Sequence, residues 1–428
     1  MSAPRPAGRR VLLVAYYYPP LNIIGARRPF ALAKWLRCRG HEVTVLTSLQ
    51  TGHGPDEASS RLVRTRDLLT SRMNWRGKSL EVVTGQSDAA WDHGPSVWGS
   101  IFVPDVQLIS WMPFAVTASL RLHRRLRFDA VITTSPLESA HAVGLALSGR
   151  GVPWIADMRD GWRFEAPREE WPLRAQRLLD DAFERLVVRK ACEVVTVSEP
   201  LSADLRRRHG IAVETITNGY DPDEMSDFKT PDGEEVTRAI SSRKLTFVHT
   251  GGLGAERTLH PVLDALARMA VADDALHERV ELVLAGAQTE QERAMYADPR
   301  FAPFVRHVGF VSRGQAMALQ RAADTLLLVT SGVRTGEATG KLFEYLAAGR
   351  PILVLGKGSA AADIVIAAGA GSAIPVRDTG AAETALRAIL AGDIGDLPSS
   401  ARKAYSYATL AARYEQVLER AITRRRNP

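Results

Sequence analysis

The sequence predicts an α/β protein built from two doubly wound parallel sheets, and three observations carry that prediction. Short aliphatic and β-branched runs recur along nearly the whole chain: VLLVAYYY, HEVTVLTS, LTFVHT, VELVLAG, TLLLVT and PILVL. Runs of this length without polar alternation fit parallel strands buried on both faces. Segments of helical spacing separate them, and such alternation gives right-handed βαβ crossovers. Lastly, 428 residues exceed one ordinary core, and the polar, acidic stretch from Asp221 to Lys244 is the best candidate linker. The expected divisions are 1–220, 221–404, and a C-terminal helix over 405–428 packing back toward the first domain.

In the first domain Val11 to Tyr18 is a strand, followed by a loop with the single glycine Gly25. Pro29 then opens a helix that Gly40 stops. One glycine is not a dinucleotide fingerprint, and no acidic residue closes the second strand to hold a ribose, so a nicotinamide dehydrogenase is disfavoured. From Leu49 to about Val103 periodicity fades, apart from a short strand near Leu80 to Thr84. All eight tryptophans precede Pro172. Trp91, Trp98 and Trp111 flank the loop-rich region, where an aromatic face either stacks on a sugar or packs in a core. Ala115 to Arg127 is an arginine-rich amphipathic helix, facing solvent or a membrane surface.

Asp129 to Ser135 is the next strand, and His141 falls in the first turn of the helix after it. The positive helix end would keep His141 neutral and able to hydrogen-bond a ligand; an idle exposed histidine is the alternative. Trp154 to Met158 is a strand that contains Asp157, with Arg159, Asp160 and Trp162 just past its carboxyl end, the edge at which open α/β sheets bind ligands. Leu173 to Ala191 is a helix whose core face is expected to hold Leu178, Leu179, Ala182, Phe183, Leu186 and Val187. EVVTVS follows as a strand, with Ser198 as N-cap of the next helix.

The second domain opens with LTFVHT, the Gly-rich loop GGLGAER and a helix from Leu259 to Ala272. Arg257 lies at or just before that helix, where it could pair with a diphosphate. The most informative stretch is Ser331 to Leu355, SGVRTGEATGKLFEYLAAGRPILVL. Its turn leads into a helix starting near Thr339 or Gly340, and Gly349 with Pro351 ends that helix. Lys341 and Glu344 share one flank of the first turn, beside backbone N–H groups and the positive end of the dipole. That is a ready phosphate site, with a carboxylate one turn on that could accept two hydrogen bonds from a ribose diol. The alternative is that Glu344 only offsets the helix dipole. Ala401 to Arg424 is a final amphipathic helix.

The formal net charge is +7, most visible in arginines at the two tails. Solvated tails explain it, and basic surfaces also allow peripheral contact with the inner face of a membrane. No groove-reading motif favours nucleic acid. Cys38 and Cys192 are the only cysteines, which excludes a disulfide framework and a cysteine-based zinc site. VLLVAYYY runs straight into Pro19-Pro20, too short for a secretory or spanning segment, so a cytoplasmic location is expected. No Asp-x-Asp pattern is placed as a metal signature, so no cofactor or metal is expected to be required.

Taken in order, YYYPPLNIIGARRPFALAKWLRCRGHEVTVLT, SPLESAHAVG, WIADMRDGW, VVTVSEPL, ITNGYD, HTGGLG, VGFVSR and GEATGKLFEYLAAGRPIL resemble the retaining glycosyltransferases of family 4. The resemblance runs over nearly the whole chain. It implies the GT-B fold, two Rossmann-like domains, and transfer of a sugar from a nucleotide-diphosphate sugar to an acceptor hydroxyl. It further implies donor contacts from Gly25, Gly251, Arg257, Glu337, Thr339, Gly340, Lys341, Leu342 and Glu344. His141, Arg257 and Lys341 would be catalytic, and Trp111, Asp157, Arg159 and Asp160 would lie on the acceptor side. Two positions depart from the family pattern. Gly336 stands where an earlier glutamate is usual, with Glu337 displaced by one, and Gly252 takes the first place of a basic pair whose second is Arg257. A nucleotide-sugar 2-epimerase of the same fold and a non-catalytic partner subunit are the rival expectations.

Overall fold

The computed structural model describes residues 8–21, 23–49, 61–68, 101–166, 170–224, 240, 243–253, 257–393 and 399–426. The chain forms two compact units, Met1–Thr217 with Tyr407–Pro428, and Asn218–Ser406. Each has one parallel sheet covered by helices.

The sheet of the first unit holds β1 (Arg10–Ala15), β2 (Glu42–Ser48), β3 (Arg61–Thr65), β4 (Ala130–Thr134), β5 (Trp154–Met158), β6 (Glu193–Thr196) and β7 (Glu214–Thr215), in the order β3-β2-β1-β4-β5-β6-β7. Leu13 faces Val45 on one side and Ile132 on the other, so the central strand is apolar along its length. Strand β3 was not anticipated. Its arginines interrupt the apolar run, which an edge strand tolerates. The expected strand near Leu80 to Thr84 lies outside the described residues, as do Trp91 and Trp98 and most of the expected linker.

Helix α1 spans Ile24–Cys38, so Pro29 lies inside it and does not open it. Proline has no N–H, which leaves the carbonyl of Gly25 without its backbone donor; the Arg159 guanidinium supplies one at 2.8 Å. Helix α2 is Met112–Leu126 and α3 is His141–Ser148. In α3 a Cβ on Gly144 would sit 2.1 Å from the Trp154 indole, so only glycine lets that buried ring nest there.

Helix α4, Arg174–Lys190, is rotated from the expected orientation. Leu178, Leu179 and Leu186 are 69%, 62% and 44% exposed. Of the expected core face Val187 is buried and Phe183 packs partly against the core, and the other buried positions are Gln176, Asp180, Glu184 and Val188. The acids go inside because partners await them: Trp162 Nε1 donates to Asp180 at 2.9 Å, and Arg208 donates to both oxygens of Glu184 at 2.6 and 2.7 Å. Ser198 stands at the N-cap of the helix Glu199–His209, but its side chain makes no capping bond.

The sheet of the second unit holds β8 (Leu245–Thr250), β9 (Val280–Ala285), β10 (Val305–Gly309), β11 (Thr325–Val329), β12 (Ile352–Leu355) and β13 (Gly371–Ile374), in the order β10-β9-β8-β11-β12-β13. Helices α5 (Arg313–Ala322) and α6 (Gly340–Ala348) pack on one face with Leu319, Leu342, Phe343 and Leu346 buried. The expected final helix is broken at Tyr405-Ser406. A short helix Ser399–Ala404 ends there, Ser406 bridges to Tyr220, and α7 (Tyr407–Arg426) begins. Helix α7 belongs to the first unit, where Leu410, Tyr414, Val417 and Leu418 join the core of Leu13, Val45, Ile132 and Ile155. Among the described residues no helix is long and apolar enough to cross a membrane.

Candidate functional site

In the second unit the strand order reverses between β8 and β11. An open parallel sheet leaves a crevice outside the carboxyl ends of its strands at such a reversal. The loops leaving those two ends are Gly251-Gly252 and Ser331 to Thr339, both singled out in the sequence.

The second loop is held by its own hydrogen bonds. The Ser331 N–H donates to Glu337 at 3.1 Å, and the N–H groups of Ala360 and Ala361 donate to the carbonyls of Thr335 and Glu337 at 2.7 and 3.2 Å. Glu337 also receives the Arg257 guanidinium. Arg257 and Glu337, both expected at a ligand, are therefore partners of each other. Glu337 spans Ser331 and Arg257 and fixes one relative to the other.

Thr339 occupies the N-cap of α6 in extended backbone, and its buried Oγ1 makes no hydrogen bond. The N-cap side chain thus makes no capping bond at this helix start, where N–H groups and the positive end of the dipole accumulate. Lys341 reaches back from α6 to β8, its Nζ donating to the Gly252 carbonyl at 3.4 Å. A Cβ on Gly251, at φ +95°, would lie 2.4 Å from that Nζ. Glycine at 251 thus serves the backbone angle and clears the lysine. Leu342 is fully buried and anchors the helix in the core.

One turn further, Glu344 is 3.4 Å from Arg313 Nη2, and Arg313 bonds Glu224 at 2.6 Å. Burial opposes the Arg313 charge, but the hydrogen bond to Glu224 and the two carboxylates outweigh it and raise the pKa. Sequence reasoning missed Arg313, Glu224 and His249. His249 in β8 donates from Nδ1 to the Leu327 carbonyl at 2.9 Å, since a carbonyl only accepts, and its buried Nε2 has no hydrogen-bond partner. Burial, reinforced by the nearby Lys341 charge, lowers its pKa to about 3 and keeps it neutral. A histidine ending a strand beside a glycine loop was the only available signal.

In the first unit the strand order reverses between β1 and β4. His141 is fully buried, its ring stacked on Trp162 at 6.1 Å. Trp154 Nε1 donates to Thr133 Oγ1 at 2.8 Å, and that hydroxyl lies 2.7 Å from His141 Nδ1. Among the described residues Nδ1 is the one acceptor within reach of the Thr133 hydroxyl proton, so that proton goes to Nδ1, and Nε2 carries the imidazole proton and lacks a partner. Burial lowers the His141 pKa to about 4, with Asp157 only partly opposing it.

Two residues expected on the acceptor side are framework residues. Trp111 is fully buried, edge-on to Tyr16 and donating to Thr65 at 2.8 Å; it takes the packing alternative because both ring faces are covered. Asp157 is fully buried and accepts from Arg28 at 2.9 and 3.1 Å and from Thr134 at 2.7 Å. Burial works against its charge, but Arg28 overrides it and holds the carboxyl below its ordinary pKa. Arg159 is 9% exposed and is spent partly on Gly25. Asp160 remains half-exposed at the edge of the sheet. Gly25, Asp157 and Arg159 thus converge on the first turns of α1. Among the described residues no group of three or more His, Cys, Asp or Glu side chains could hold a metal ion.

Residues 25–219 match the family described as the glycosyl transferase 4-like domain. Around that domain the whole chain has the GT-B fold, as three solved structures illustrate. A sucrose-phosphate synthase from Thermosynechococcus elongatus is 16% identical with a TM-score of 0.64, the match covering 97% of this chain and 99% of that one. A glycosyltransferase from Rickettsia africae is 12% identical with a TM-score of 0.64 over the same shares, 97% and 99%. Alr3699/HepE from Anabaena, solved in complex with UDP, is 15% identical with a TM-score of 0.59 over 96% and 99%. No curated protein sequence matches the chain. Most of the glycosyl transferase 4-like domain lies in the first unit, so Arg257, Lys341 and Glu344 lie beyond the matched residues.

Proposed function

We propose that this protein moves a sugar from a nucleoside-diphosphate donor to an acceptor hydroxyl, with retention of anomeric configuration. The observation carrying the reading is the grouping, at the sheet reversal of the second unit, of Lys341, an uncapped helix start and Glu344. A diphosphate needs fixed cations and N–H donors, and a ribose diol needs a carboxylate about one helical turn away. The domain match and the UDP bound by a structural neighbour support the same direction.

Breaking the bond from the anomeric carbon to the diphosphate leaves cationic character on the sugar and negative charge on the departing oxygen. Lys341 and the start of α6 stabilise that oxygen more in the transition state than in the ground state. Arg257 adds charge while Glu337 orients it. These cations supply the stabilisation, and no divalent ion is required. In the first unit, the Nε2–H of His141 is a donor for a sugar hydroxyl.

The test is a panel of UDP, GDP and TDP sugars, scored by nucleotide release with and without acceptor extract. Release only with acceptor, with the donor's anomeric configuration in the product by NMR, is expected. Acceptor-independent turnover to a 2-epimer would replace the reading with an epimerase. No release under either condition would leave a binding subunit.

A further inference from the structure

Helix α4 presents a surface that glycosyl transfer does not use. Its outward side interleaves Leu178, Leu179 and Leu186, each at least 44% exposed, with Arg174, Arg177, Arg185 and Arg189. Of its three carboxylates, Asp180 and Glu184 are buried, and Asp181, partly exposed, is paired with Arg163. Among the described residues none of these four arginines has an ion-pair partner, so their charge faces solvent uncompensated. A helix that buries two of its three acids and shows leucine and arginine together reverses the usual surface pattern.

We propose that this face of α4 is a docking surface for an anionic lipid bilayer. At 17 residues the helix is about 25 Å long, enough to lie along a membrane plane. Its leucines would enter the headgroup boundary while the arginines meet lipid phosphates, the arrangement by which amphipathic helices bind interfaces. Charge decides against a second copy of the chain as occupant, because a symmetric pairing through this face would oppose arginine to arginine. The surface is distinct from the arginine-rich α2.

The experiment is co-sedimentation of the full chain with vesicles of phosphatidylcholine alone or mixed equally with phosphatidylglycerol. Binding to the anionic vesicles only, lost in about 0.5 M salt, is expected. Arg177→Gln with Arg185→Gln should lower the partition coefficient about 25-fold, near fivefold per cation. Leu178→Gln with Leu179→Gln should weaken it without changing the melting temperature, since both sites are exposed. Equal binding to neutral vesicles, unchanged binding in both variants, or no binding would overturn the proposal. So would a dimer in light scattering that the leucine variant dissociates.

Discussion

Arg159 donates from Nη1 to the carbonyl of Gly25 at 2.8 Å, filling the place in α1 that Pro29 leaves empty. A side chain from the end of β5 thus completes the hydrogen bonding of a helix more than 120 residues earlier in the chain. Arg159→Gln should cost about 1.5–3 kcal/mol, the range for hydrogen bonds from charged groups. In a Pro29→Ala background the backbone regains its donor, so the same substitution should cost less. Urea unfolding of the four proteins measures the coupling, and strictly additive costs would refute the relationship.

Glu344→Ala should weaken nucleoside-diphosphate binding by about 1.5–3 kcal/mol, roughly 10- to 150-fold. Folding should change little, because Arg313 keeps Glu224 as a partner at 2.6 Å. Calorimetric titration with UDP, GDP and TDP, beside thermal melting, separates the two effects. Unchanged affinity for all three would remove Glu344 from the donor site.

Gly251→Ala places a Cβ in left-handed backbone, 2.4 Å from Lys341 Nζ. Strain of about 1–2 kcal/mol in stability is expected. Turnover should fall as in Lys341→Ala, and the double variant should be no worse than the weaker single one, since both displace the same ammonium. Gly252→Ala meets only an ordinary contact, 3.7 Å from the Ala287 carbonyl, and should lose less. Steady-state kinetics decides, and additive losses would count against a shared cause.

His141 ties the stability of the first unit to pH. Its pKa of about 4 when folded lies below the usual unfolded value near 6.5, so between them the unfolded chain binds a proton that the folded chain does not. Stability is therefore full above about pH 6.5 and falls as pH drops toward 4, by on the order of 3 kcal/mol from this group. All tryptophans lie in the first unit, so their fluorescence in urea reads that unit alone. His141→Gln should flatten the slope by up to one proton across this window; an identical slope would show that the ring is not the group titrating.

What could be read from sequence depended on how local the physics was. Trp154–Met158 and Leu245–Thr250 were legible to the residue because apolar runs end at polar or glycine neighbours. The sharing of one helix flank by Lys341 and Glu344 follows from spacing alone. Strand β3 was hidden by its arginines, and the start of α1 by a proline whose missing donor is replaced from afar. Helix α4 was misread because its acids recur at the same helical period as its leucines, and only Trp162 and Arg208 decide which set is buried. Arg28 and Asp157 are 129 residues apart, and Glu344 and Arg313 are 31 apart. No local pattern announces such pairs, so Asp157 was expected at a ligand when it is committed to the framework.

The return of α7 to the first unit reverses the order in which the chain can mature on the ribosome. Domains ordinarily finish in the order of synthesis, N-terminal first. Here the core around Leu13, Ile132 and Ile155 lacks Leu410, Tyr414, Val417 and Leu418 until the last stretch emerges. The segment Asn218–Ser406, translated later than most of that core, has all of its own residues in hand sooner. A nascent chain stalled before Tyr407 would hold a finished second unit and an unsealed first one, with an apolar seam open to chaperones in the interval.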